Sequence, residues 1–411
     1  MAKIENCRDI VQWRLCTGCG VCLAACTKGA VRLRNIEGIG IRPYFNEEAC
    51  RGCVDCLSSC PGYLVDRNMA AGFSRPLSTA EQEYGPVLEL WEGYATDPQI
   101  RHRASSGGLL SAIALYCLEQ ENMEFVLHTA MDQEKPWLNT TVKSKTREAI
   151  IERTGSRYAP ASPGEGLGEI EKSHGPCVFI GKPCDAAGTF LLRNQRPELD
   201  ARLGLVLTFC CAGTPSTRGT LNLIHSLCAE AGQIEKVSYR GEGWPGRFKV
   251  VFDGGAREES LPYAEAWTQL TKSVPFRCRI CPHGLGELSD IACGDAWQSF
   301  KESDDAGRSI VLVRTERGRE ILRGASEAGY AHLRPIAPEA ILQAQKNLLA
   351  RRRDLFGRLL AMRLLRIPTP RFTGFSLFRG WLELSLQAKV RSVLGMALRI
   401  AQRDLWCRER R

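Results

Sequence analysis

One cysteine spacing occurs twice near the start of the chain, as CTGCGVCLAAC at residues 16–26 and as CRGCVDCLSSCP at residues 50–61. The two copies begin at Cys16 and Cys50 and together contain eight of the nineteen cysteines. Zinc sites usually combine a CxxC pair with a second pair after a long gap, and disulfides have no need of such closely repeated cysteines. We therefore interpret the repeat as a set of thiolate ligands for inorganic clusters.

This spacing is typical of bacterial-type ferredoxins, in which a pair of such runs binds two 4Fe–4S clusters. Three thiolates of one run wrap a corner of one cluster, and the fourth lies on a following helix and binds the other cluster. The sequence therefore predicts a two-cluster domain over residues 1–70 that transfers single electrons. The expected ligands of the first cluster are Cys16, Cys19, Cys22 and Cys60, and those of the second cluster are Cys50, Cys53, Cys56 and Cys26.

The composition is that of an ordinary globular protein with two or three domains: 411 residues, 44% hydrophobic and 25% charged. No stretch approaches about eighteen consecutive apolar residues, so the sequence predicts no membrane span. Residues 1–15 carry charges throughout and lack the apolar centre of a signal peptide. Because free thiolate ligands need a reducing compartment, we expect a cytoplasmic protein.

From Trp91 onward, short apolar segments alternate with helical patterns, which predicts an α/β domain over residues 91–337. Residues 71–90 are predicted to form a linker, because glycine and proline interrupt this interval. The interrupting residues are Gly72, Pro76, Gly85 and Pro86. The predicted strands are Phe125–Thr129, Cys177–Ile180, Leu203–Phe209, Lys249–Phe252 and Ser309–Arg314, and the predicted helices are Leu109–Leu118 and Gly318–Glu327.

Four cysteines of this second domain are candidates for a third metal site. Cys184 and Cys211 each follow a predicted strand, and functional groups gather beyond the carboxyl ends of strands in open α/β sheets. Cys278 and Cys281 form a CxxC pair in a loop bounded by prolines. Spacing alone leaves two interpretations open: a third 4Fe–4S cluster, or two buried small side chains beside a redox or zinc pair. The other cysteines are interpreted as core or surface thiols: Cys7, Cys117, Cys177, Cys210, Cys228, Cys293 and Cys407.

Two glycine-rich segments are candidates for binding a phosphorylated planar ligand. The segment Ser105–Gly108 precedes a predicted helix, whose amino terminus suits an anion, although a plain helix cap is the alternative. The segment RGEGWPG at residues 240–246 is a rigid turn that lets backbone approach a ring, and a tight hairpin turn is the alternative. No GxGxxG follows a strand, so a Rossmann site is not predicted. The candidate residues are Ser105, Ser106, Gly107, Gly108, Arg240, Gly241, Gly243, Trp244, Pro245 and Gly246.

The excess positive charge lies at the end of the chain. Residues 338–411 contain 16 Lys and Arg against 5 Asp and Glu, whereas the remaining 337 residues contain 39 against 41. We interpret residues 338–411 as a basic helical segment whose apolar side lies on the main body. Docking to an acidic redox partner and contact with a membrane surface are alternatives, and no nucleic-acid-reading motif accompanies the charge. The apolar residues at helical spacing are Leu355, Leu359, Met362, Val390, Leu394, Leu398 and Leu405.

On these segments the chain resembles the family of coenzyme F420 hydrogenase and dehydrogenase beta subunits. The resemblance covers nearly the whole chain and is carried by ASSGG at residues 104–108, GKPC at 181–184, CAGTPS at 211–216, YRGEGWPG at 239–246 and CRIC at 278–281, followed by DIACGDAW at 290–297. It implies an α+β fold: a ferredoxin module with two 4Fe–4S clusters, then an α/β FAD-binding domain, then the basic helical segment. It also implies a third 4Fe–4S cluster on Cys184, Cys211, Cys278 and Cys281.

The resemblance implies an oxidoreductase. FAD would exchange electron pairs with a hydride donor or acceptor, F420 or a similar compound, and the clusters would exchange single electrons with ferredoxin or another redox protein. Lys182 is a candidate catalytic residue near the flavin. The alternatives are a ferredoxin-fed reductase of a specific organic substrate and a flavin-free iron–sulfur sensor or electron-transfer subunit. Lys182 and Asp185 depart from the family pattern around Cys184, so the substrate is not assigned.

Overall fold

The computed structural model describes residues 3–69, 77–228, 232–301 and 306–409. Two of the residues that define the predicted linker, Gly72 and Pro76, lie outside these ranges. In the described part of the chain, helices and strands are mixed throughout, as the sequence predicts.

The N-terminal domain places its cysteine loops around a short hairpin. Strands β1 and β2 pair antiparallel, with Val31 opposite Phe45. Gly20, at a φ of +84°, caps the helix that carries the third thiol of the first run. The elements are α1 Cys7–Gln12, α2 Val21–Ala25, β1 Val31–Ile36, β2 Gly40–Phe45, α3 Asp55–Ser58 and β3 Leu64–Asp66.

The interval predicted as a linker is structured where it is described. Helix α4, Thr79–Tyr84, begins at a capping box formed by Ser78 and Glu81. The next strand begins at Glu89, within the same interval. Buried Arg314 donates hydrogen bonds to the carbonyls of Tyr84 and Pro86. The linker prediction is therefore wrong for residues 79–90, which pack against the second domain.

The second domain is built on a sheet of eight strands in the described residues, in the order β14-β4-β13-β12-β8-β7-β5-β6. Its four middle strands, β12, β8, β7 and β5, run parallel, and antiparallel strands extend both sides. The strands are β4 Glu89–Ala95, β5 Val126–Met131, β6 Asn139–Ser144, β7 Cys177–Gly181, β8 Leu203–Phe209, β12 Ile291–Asp295, β13 Ser309–Val313 and β14 Ala331–Pro335. The helices of this part are α5 Pro98–Arg103, α6 Leu109–Glu119, α7 Arg147–Glu152, α8 Leu167–Glu171, α9 Pro183–Arg193, α10 Pro197–Arg202 and α14 Glu316–Glu327.

A smaller three-stranded sheet, in the order β11-β10-β9, stands between β8 and β12 in the chain. Its apolar side holds Val237, Phe248 and Val250, which are buried against α11 and α12. The elements are α11 Thr217–Leu227, β9 Ile234–Ser238, β10 Arg247–Phe252, β11 Arg257–Pro262, α12 Tyr263–Leu270 and α13 Phe276–Arg279. All five predicted strands and both predicted helices of the second domain are confirmed to within three residues at each end.

The C-terminal segment closes over the N-terminal domain. Leu355 and Met362 are buried in one hydrophobic core with Ile10 and Leu15. Strand β15 pairs parallel with β3, so the end of the chain extends the first domain. The elements are α15 Pro338–Ala344, α16 Lys346–Arg353, α17 Leu355–Leu364, β15 Arg371–Thr373, α18 Leu377–Leu382 and α19 Leu386–Gln402.

The two ends of the chain are also joined directly. The Arg14 guanidinium donates to the carbonyl of Cys407, and the amide of Glu409 donates to the carbonyl of Gln12. Leu405 is buried in the same core as Ile10. The segment therefore completes the N-terminal domain.

The orientation predicted for the last helix is wrong. Val390, Leu394 and Leu398 are exposed, although the sequence predicts that they lie on the main body. Helix α19 instead turns Met396 and Ile400 inward. Its second apolar face is therefore uncovered in this structure.

Two arginines of the basic segment, Arg351 and Arg352, are bonded to the fold. Arg352 is only 5% exposed, pairs with buried Glu287 and donates to the carbonyl of Pro282. Arg351 donates to the carbonyls of Cys211 and Ala212. Electrostatic docking through these arginines is therefore not supported by the fold.

The two domains contact each other through backbone atoms at glycine residues. A Cβ on Gly20 would lie 2.7 Å from the carbonyl oxygen of Ser162, and one on Gly164 would lie 2.6 Å from that of Cys19. The amide of Gly164 also donates to the carbonyl of Cys19, at 3.0 Å. Glycine at both positions thus allows the first cysteine loop to contact the second domain without intervening side chains.

Replacement of Gly164 by alanine is expected to push the first cysteine loop away from the second domain. The new methyl group would overlap the Cys19 carbonyl and Val21, and such overpacking costs about 1–3 kcal/mol. The apparent midpoint of thermal unfolding, measured anaerobically, should fall by several degrees.

Gly168→Ala is the matched control for this prediction. No atom lies within 4 Å of a Cβ at Gly168, which is in helix α8, so alanine should be neutral or stabilise by about 0.5–1 kcal/mol. Equal midpoints for the two variants would contradict the importance of the backbone contact.

Candidate functional site

The structure brings the first predicted ligand set together. Cys16, Cys19, Cys22 and Cys60 line one cavity of the N-terminal domain. Three of these thiols come from the first cysteine run, around the start of α2, and the fourth comes from the end of the second cysteine run. This arrangement agrees with the ferredoxin spacing, which predicts that the second run provides the fourth ligand of the first cluster.

These thiols are buried deeply enough to affect their protonation. Burial raises the pKa of Cys19 to about 12 and raises the pKa of Cys22 well above its usual value. Burial also raises the pKa of Cys16, an effect that the guanidinium groups of Arg42 and Arg277 oppose. Without a cluster, burial therefore favours the protonated thiols, and a cluster that binds them would displace their protons.

Cys7 belongs to this group as well, although the sequence analysis interprets it as an ordinary thiol. It is 3% exposed and lines the same cavity. Hydrogen bonding with Cys7 lowers the pKa of Cys56 to about 7 and also lowers the pKa of Cys60. No spacing rule includes Cys7, because it precedes the first run by nine positions on a separate helix.

The second predicted ligand set lies closer to the surface. Cys53 is exposed, and the other three thiols are partly buried. The Lys28 ammonium donates to the carbonyl of Arg51 at 2.6 Å, which places the loop after Cys26 beside the loop of Cys50 and Cys53. The structure therefore brings the two loops of this set into contact.

The four cysteines of the second domain gather at one edge of the large sheet. Parallel neighbours β7 and β8 end at Gly181 and Phe209, and their next residues lead to Cys184 and Cys211. Helix α13 contributes Cys278 and is followed by Cys281. Cys184 lies near Cys211 and Cys281, and Cys211 lies near Cys278 and Cys281.

Gly213 allows this approach. Its φ of +127° lies in the region that favours glycine, and a Cβ there would be 3.4 Å from that of Cys278 and 2.8 Å from Val274. The loop after β8 can therefore lie directly on helix α13.

Cys210 points elsewhere, as its interpretation as a core thiol predicts. Its amide donates to the carbonyl of Cys293, and its Sγ lies against Gly294 on β12. The neighbouring Cys211 is the residue that interacts with the CxxC pair. Adjacent cysteines thus have different surroundings.

A second cavity joins the two cysteine groups across the domain boundary. Cys16 and Arg42 line it from the N-terminal domain, and Lys182 and Cys278 line it from the second domain. Arg277 crosses the same boundary, since its Nη2 donates to the carbonyl of Pro61 at 2.9 Å. The residue before Cys278 is therefore hydrogen-bonded to the residue after Cys60.

Lys182 is held as a buried ammonium. Its Nζ donates to Asp185 at 2.7 Å and to the carbonyl of Ala161 at 2.8 Å. Burial favours the neutral amine, but the carboxylate of Asp185 outweighs it and raises the pKa of Lys182. The structure places Lys182 beside Cys16 and Cys278, and its role at a flavin stays a prediction.

Among the residues that the structure describes, no three His, Cys, Asp or Glu side chains converge on a position for a single metal ion.

The two glycine-rich segments lie side by side, beyond the carboxyl end of β4. The amide of Gly243 donates to the carbonyl of His102, just before the Ser105–Gly108 segment. A Cβ on Gly307 would lie 2.6 Å from the oxygen of Ser106 and 3.2 Å from Trp244. Segments more than 130 positions apart in the chain therefore pack against each other.

The Ser105–Gly108 segment is engaged in packing as well as in capping. The hydroxyl of Ser105 accepts from the amide of Ser156, and that of Ser106 donates to the carbonyl of Arg308. The amide of Gly107 donates to the Ser309 hydroxyl. Only the amide groups that begin α6 remain for an anion, because Gly108 provides no side-chain cap there.

Arg240 has a carboxylate partner that the sequence analysis does not identify. Its two terminal nitrogens bind Asp295, at 2.7 and 3.0 Å, and its Nε donates to the carbonyl of Pro245. Asp295 ends β12 and also accepts from the indole of Trp244, at 2.8 Å. The carboxylate outweighs burial and raises the pKa of Arg240, so this arginine is a fixed cation.

Aromatic rings stack beside this ion pair. Trp244 and Trp297 are stacked at 5.2 Å between ring centroids, and Trp297 is nearly parallel to Tyr263 at 6.1 Å. The Arg240 guanidinium lies 4.2 Å from the centre of the Tyr263 ring. These rings therefore form a wall of nearly parallel aromatic groups beside the glycine turns.

Trp297 and Asp295 lie in the DIACGDAW segment that carries the resemblance. Asp295 could have been identified as a candidate partner of Arg240, because it is an acidic residue at the end of a strand. Tyr263 has no comparable signal in the sequence.

Three sequence-family matches cover the domains described above. Residues 15–64 match the 4Fe-4S dicluster domain. Residues 90–167 match the N-terminal part, and residues 176–339 the C-terminal part, of the coenzyme F420 hydrogenase/dehydrogenase beta subunit. Taken together, the last two ranges extend from strand β4 to helix α15.

Individual relatives are distant. The beta subunit of the F420-dependent formate dehydrogenase of Methanocaldococcus jannaschii is 26% identical over 61% of this chain and 63% of its own length. The beta subunit of the coenzyme F420 hydrogenase of Methanothermobacter thermautotrophicus is 22% identical over 61% of this chain and 86% of its own. One subunit of the F(420)H(2) dehydrogenase of Methanosarcina mazei is 22% identical over 76% of this chain and 82% of its own.

In the described residues, no helix has the length and apolar composition needed to cross a membrane.

The ranges 90–167 and 176–339 together span more than half of the chain. The chain therefore belongs to the family of coenzyme F420 hydrogenase/dehydrogenase beta subunits and carries an N-terminal 4Fe–4S dicluster domain.

Proposed function

We propose that this protein is an iron–sulfur flavoprotein that exchanges electrons between a hydride donor or acceptor, F420 or a similar compound, and one-electron carriers. When bound, FAD supplies hydride exchange, and 4Fe–4S clusters supply single-electron transfer. The relatives named above are F420-dependent hydrogenase and dehydrogenase subunits, which supports this chemistry. We place the protein in the cytoplasm, with ferredoxin or another redox protein as its partner.

The observation that carries the proposal is the cavity at the domain boundary. Cys16 of the first group and Cys278 of the second group line the same cavity. An electron held by one group would therefore have a direct route to the other along this cavity. A chain with two unrelated metal sites would have no need of this arrangement.

The residues around the route are suited to hold anionic clusters. Arg42 and Arg277 are both at most 5% exposed, and both favour the anionic thiolate of Cys16. Lys182 adds a third buried cation beside Cys184. Positive charges and hydrogen bonds around a cluster tune its reduction potential.

We assign the third cluster to Cys184, Cys211, Cys278 and Cys281. Their mutual interactions and their common position at the sheet edge support this set over the alternative of two buried side chains and a separate CxxC pair. Both Cys184 and Cys211 are partly buried, and burial raises the pKa of each thiol.

We assign FAD to the site formed by the Ser105–Gly108 segment and the residue 240–246 turn. The first amides of α6 would bind phosphate, and the rings of Trp244 and Trp297 would contact the flavin or the adenine. Arg240 would act mainly by fixing the turn, because Asp295 and the Pro245 carbonyl occupy its donors.

The proposed electron exchange is tested by anaerobic reduction of the FAD-loaded protein. Reduced F420, NADH and reduced ferredoxin are offered separately, and the flavin and cluster spectra are followed. Rapid reduction of both chromophores by reduced F420 would support the proposal. Reduction by ferredoxin with no response to F420 would favour the ferredoxin-fed reductase instead.

The ligand assignment predicts a specific loss of iron. Anaerobically reconstituted protein should contain about twelve iron atoms per chain, in three cubanes. Cys184→Ser should contain about eight, because one thiolate ligand of the third cluster is absent. Iron and labile sulfide analysis, together with the electron paramagnetic resonance spectrum of the reduced protein, measures this change.

Cys210→Ser is the matched control, since the Cys210 side chain packs against Gly294 on β12. It should keep the iron content of the unmodified protein. Full iron content in Cys184→Ser, or loss of iron in Cys210→Ser, would show that the ligand set is wrong.

The flavin assignment predicts weaker binding when the aromatic wall is reduced. Trp297→Leu removes the ring that stacks on both Trp244 and Tyr263. An aromatic stacking pair contributes about 0.5–1.5 kcal/mol, so the dissociation constant for FAD should rise by a factor of about 2 to 13. Quenching of flavin fluorescence during titration measures the constant without any assay of activity.

Trp267→Leu provides the comparison for this variant. Trp267 stacks on Tyr263 too, but it packs against the core of the small sheet. FAD affinity should therefore remain close to that of the unmodified protein. If both variants bind FAD equally well, the ligand does not use this wall.

A further inference from the structure

Cys7 is a ninth cysteine of the N-terminal domain, and the ligand assignment gives it no role. It is 3% exposed and lines the same cavity as the four thiols of the first ligand set. It also packs in one hydrophobic core with Cys56 and Cys60. Two 4Fe–4S clusters need eight thiolates, and the two cysteine runs supply eight. Cys7 is therefore a buried thiol that lies among cluster ligands and has no iron atom left to bind.

Helix α1 holds this thiol in a defined position. Cys7 is the first residue of the helix, and a capping box fixes that end. The next turn of the helix lies against the chain that follows Cys60. A Cβ on Gly62 would be 2.8 Å from a methyl carbon of Ile10 and 3.2 Å from the Sγ of Cys60. The absence of a side chain at Gly62 thus lets α1 approach the fourth ligand of the first cluster.

Cys7 contacts one ligand of each cluster. Cys56 and Cys60 lie four positions apart, in and just after helix α3, and the ligand assignment places them on different clusters. The Cys7 side chain is hydrogen-bonded to both of them. The backbone amide of Cys7 also donates to Cys56, and this bond does not depend on the side chain at position 7. One thiol thus bridges a ligand of the first cluster and a ligand of the second.

The direction of these two hydrogen bonds follows from the chemistry of sulfur. A thiolate bound to iron can only accept a hydrogen bond, whereas a free thiol is a weak donor. Because Cys7 is not needed as a ligand, it keeps its proton and donates to the other two sulfurs. A donor to a cluster thiolate stabilises the reduced state, which carries more negative charge, and such hydrogen bonds help to set the reduction potential.

We propose that the Cys7 thiol is a hydrogen-bond donor shared by both clusters of the N-terminal domain and that it raises both reduction potentials. The inference rests on the proposed function, because it uses the two-cluster ligand assignment. Cys7 would be a positioning residue, since it acts through Cys56 and Cys60 and touches no iron atom. Because one thiol serves both clusters, it would shift the two potentials in the same direction and keep the clusters matched for electron exchange.

The test is a redox titration of the full-length, anaerobically reconstituted protein, followed by electron paramagnetic resonance. Cys7→Ala removes the donor, so the potentials of both N-terminal clusters should shift in the negative direction. At the midpoint potentials of the unmodified protein, the ratio of oxidised to reduced cluster should then be about 2 to 13, the range expected for one hydrogen bond. Cys7→Ser keeps a proton donor of similar size and should keep most of the original potential. Both variants should keep the iron content of the unmodified protein.

Cys117→Ala is the matched control, because it also replaces a fully buried thiol. Cys117 lies on helix α6 in the core of the second domain, away from the cysteine groups. Its replacement should leave all the potentials unchanged. The signal that Cys184→Ser abolishes identifies the third cluster, and the potential of that cluster should stay constant in Cys7→Ala.

Two results would overturn the role of Cys7 and leave the proposed electron exchange intact. Unchanged potentials with full iron content in Cys7→Ala would show that the thiol only packs. Loss of about four iron atoms would show that Cys7 is a ligand rather than a donor. In contrast, zinc without labile sulfide in the unmodified protein would overturn the proposed function together with this inference.

Discussion

The backbone contact between the first cysteine loop and the second domain determines whether the cysteine groups of this protein can exchange electrons. The first cysteine loop reaches the second domain through Gly20 and Gly164, where even a methyl group would overlap a carbonyl oxygen. This contact places Cys16 on the same cavity as Cys278. The eight-stranded sheet serves the same end, since its adjacent parallel strands deliver Cys184 and Cys211 to the edge that faces the N-terminal domain.

Buried charge is the second feature that links the parts of the chain. Burial raises the pKa of Glu287, but Arg352 of the C-terminal segment, the neighbouring His283, Arg314 of the sheet and Arg67 of the N-terminal domain together outweigh burial and lower this pKa to about 2. Removing one partner of a buried ion pair costs several kcal/mol, so this carboxylate ties three regions together. The arginines of the basic segment are thus partly internal, whereas others, such as Arg363, Arg371 and Arg391, are exposed.

The sequence predicts most of this architecture where a pattern has a single structural solution. The strands that end at Gly181 and Phe209 are continuous apolar runs, which is the pattern of buried parallel strands. Edge strands such as β6 are polar and mixed, so they give no comparable signal. Periodicity shows that α19 is apolar along Val390, Leu394 and Leu398, but it does not show that another side of the helix, with Met396 and Ile400, meets the core. Likewise, the RGEGWPG segment indicates a rigid turn, whereas the partner of its arginine, Asp295, is set by the arrival of β12 at the same edge of the sheet.

The closure of the N-terminal domain by the end of the chain has a consequence for biosynthesis. Leu57 and Ile10 share a core with Leu355 and Ile400, which a ribosome adds about three hundred residues later. The first cysteine loops therefore leave the ribosome without the helices that cover them. We infer that lasting insertion of the first clusters follows translation rather than accompanying it. A premature stop codon within the last seventy or so codons would then remove the helices that cover the cysteine loops at the other end of the polypeptide.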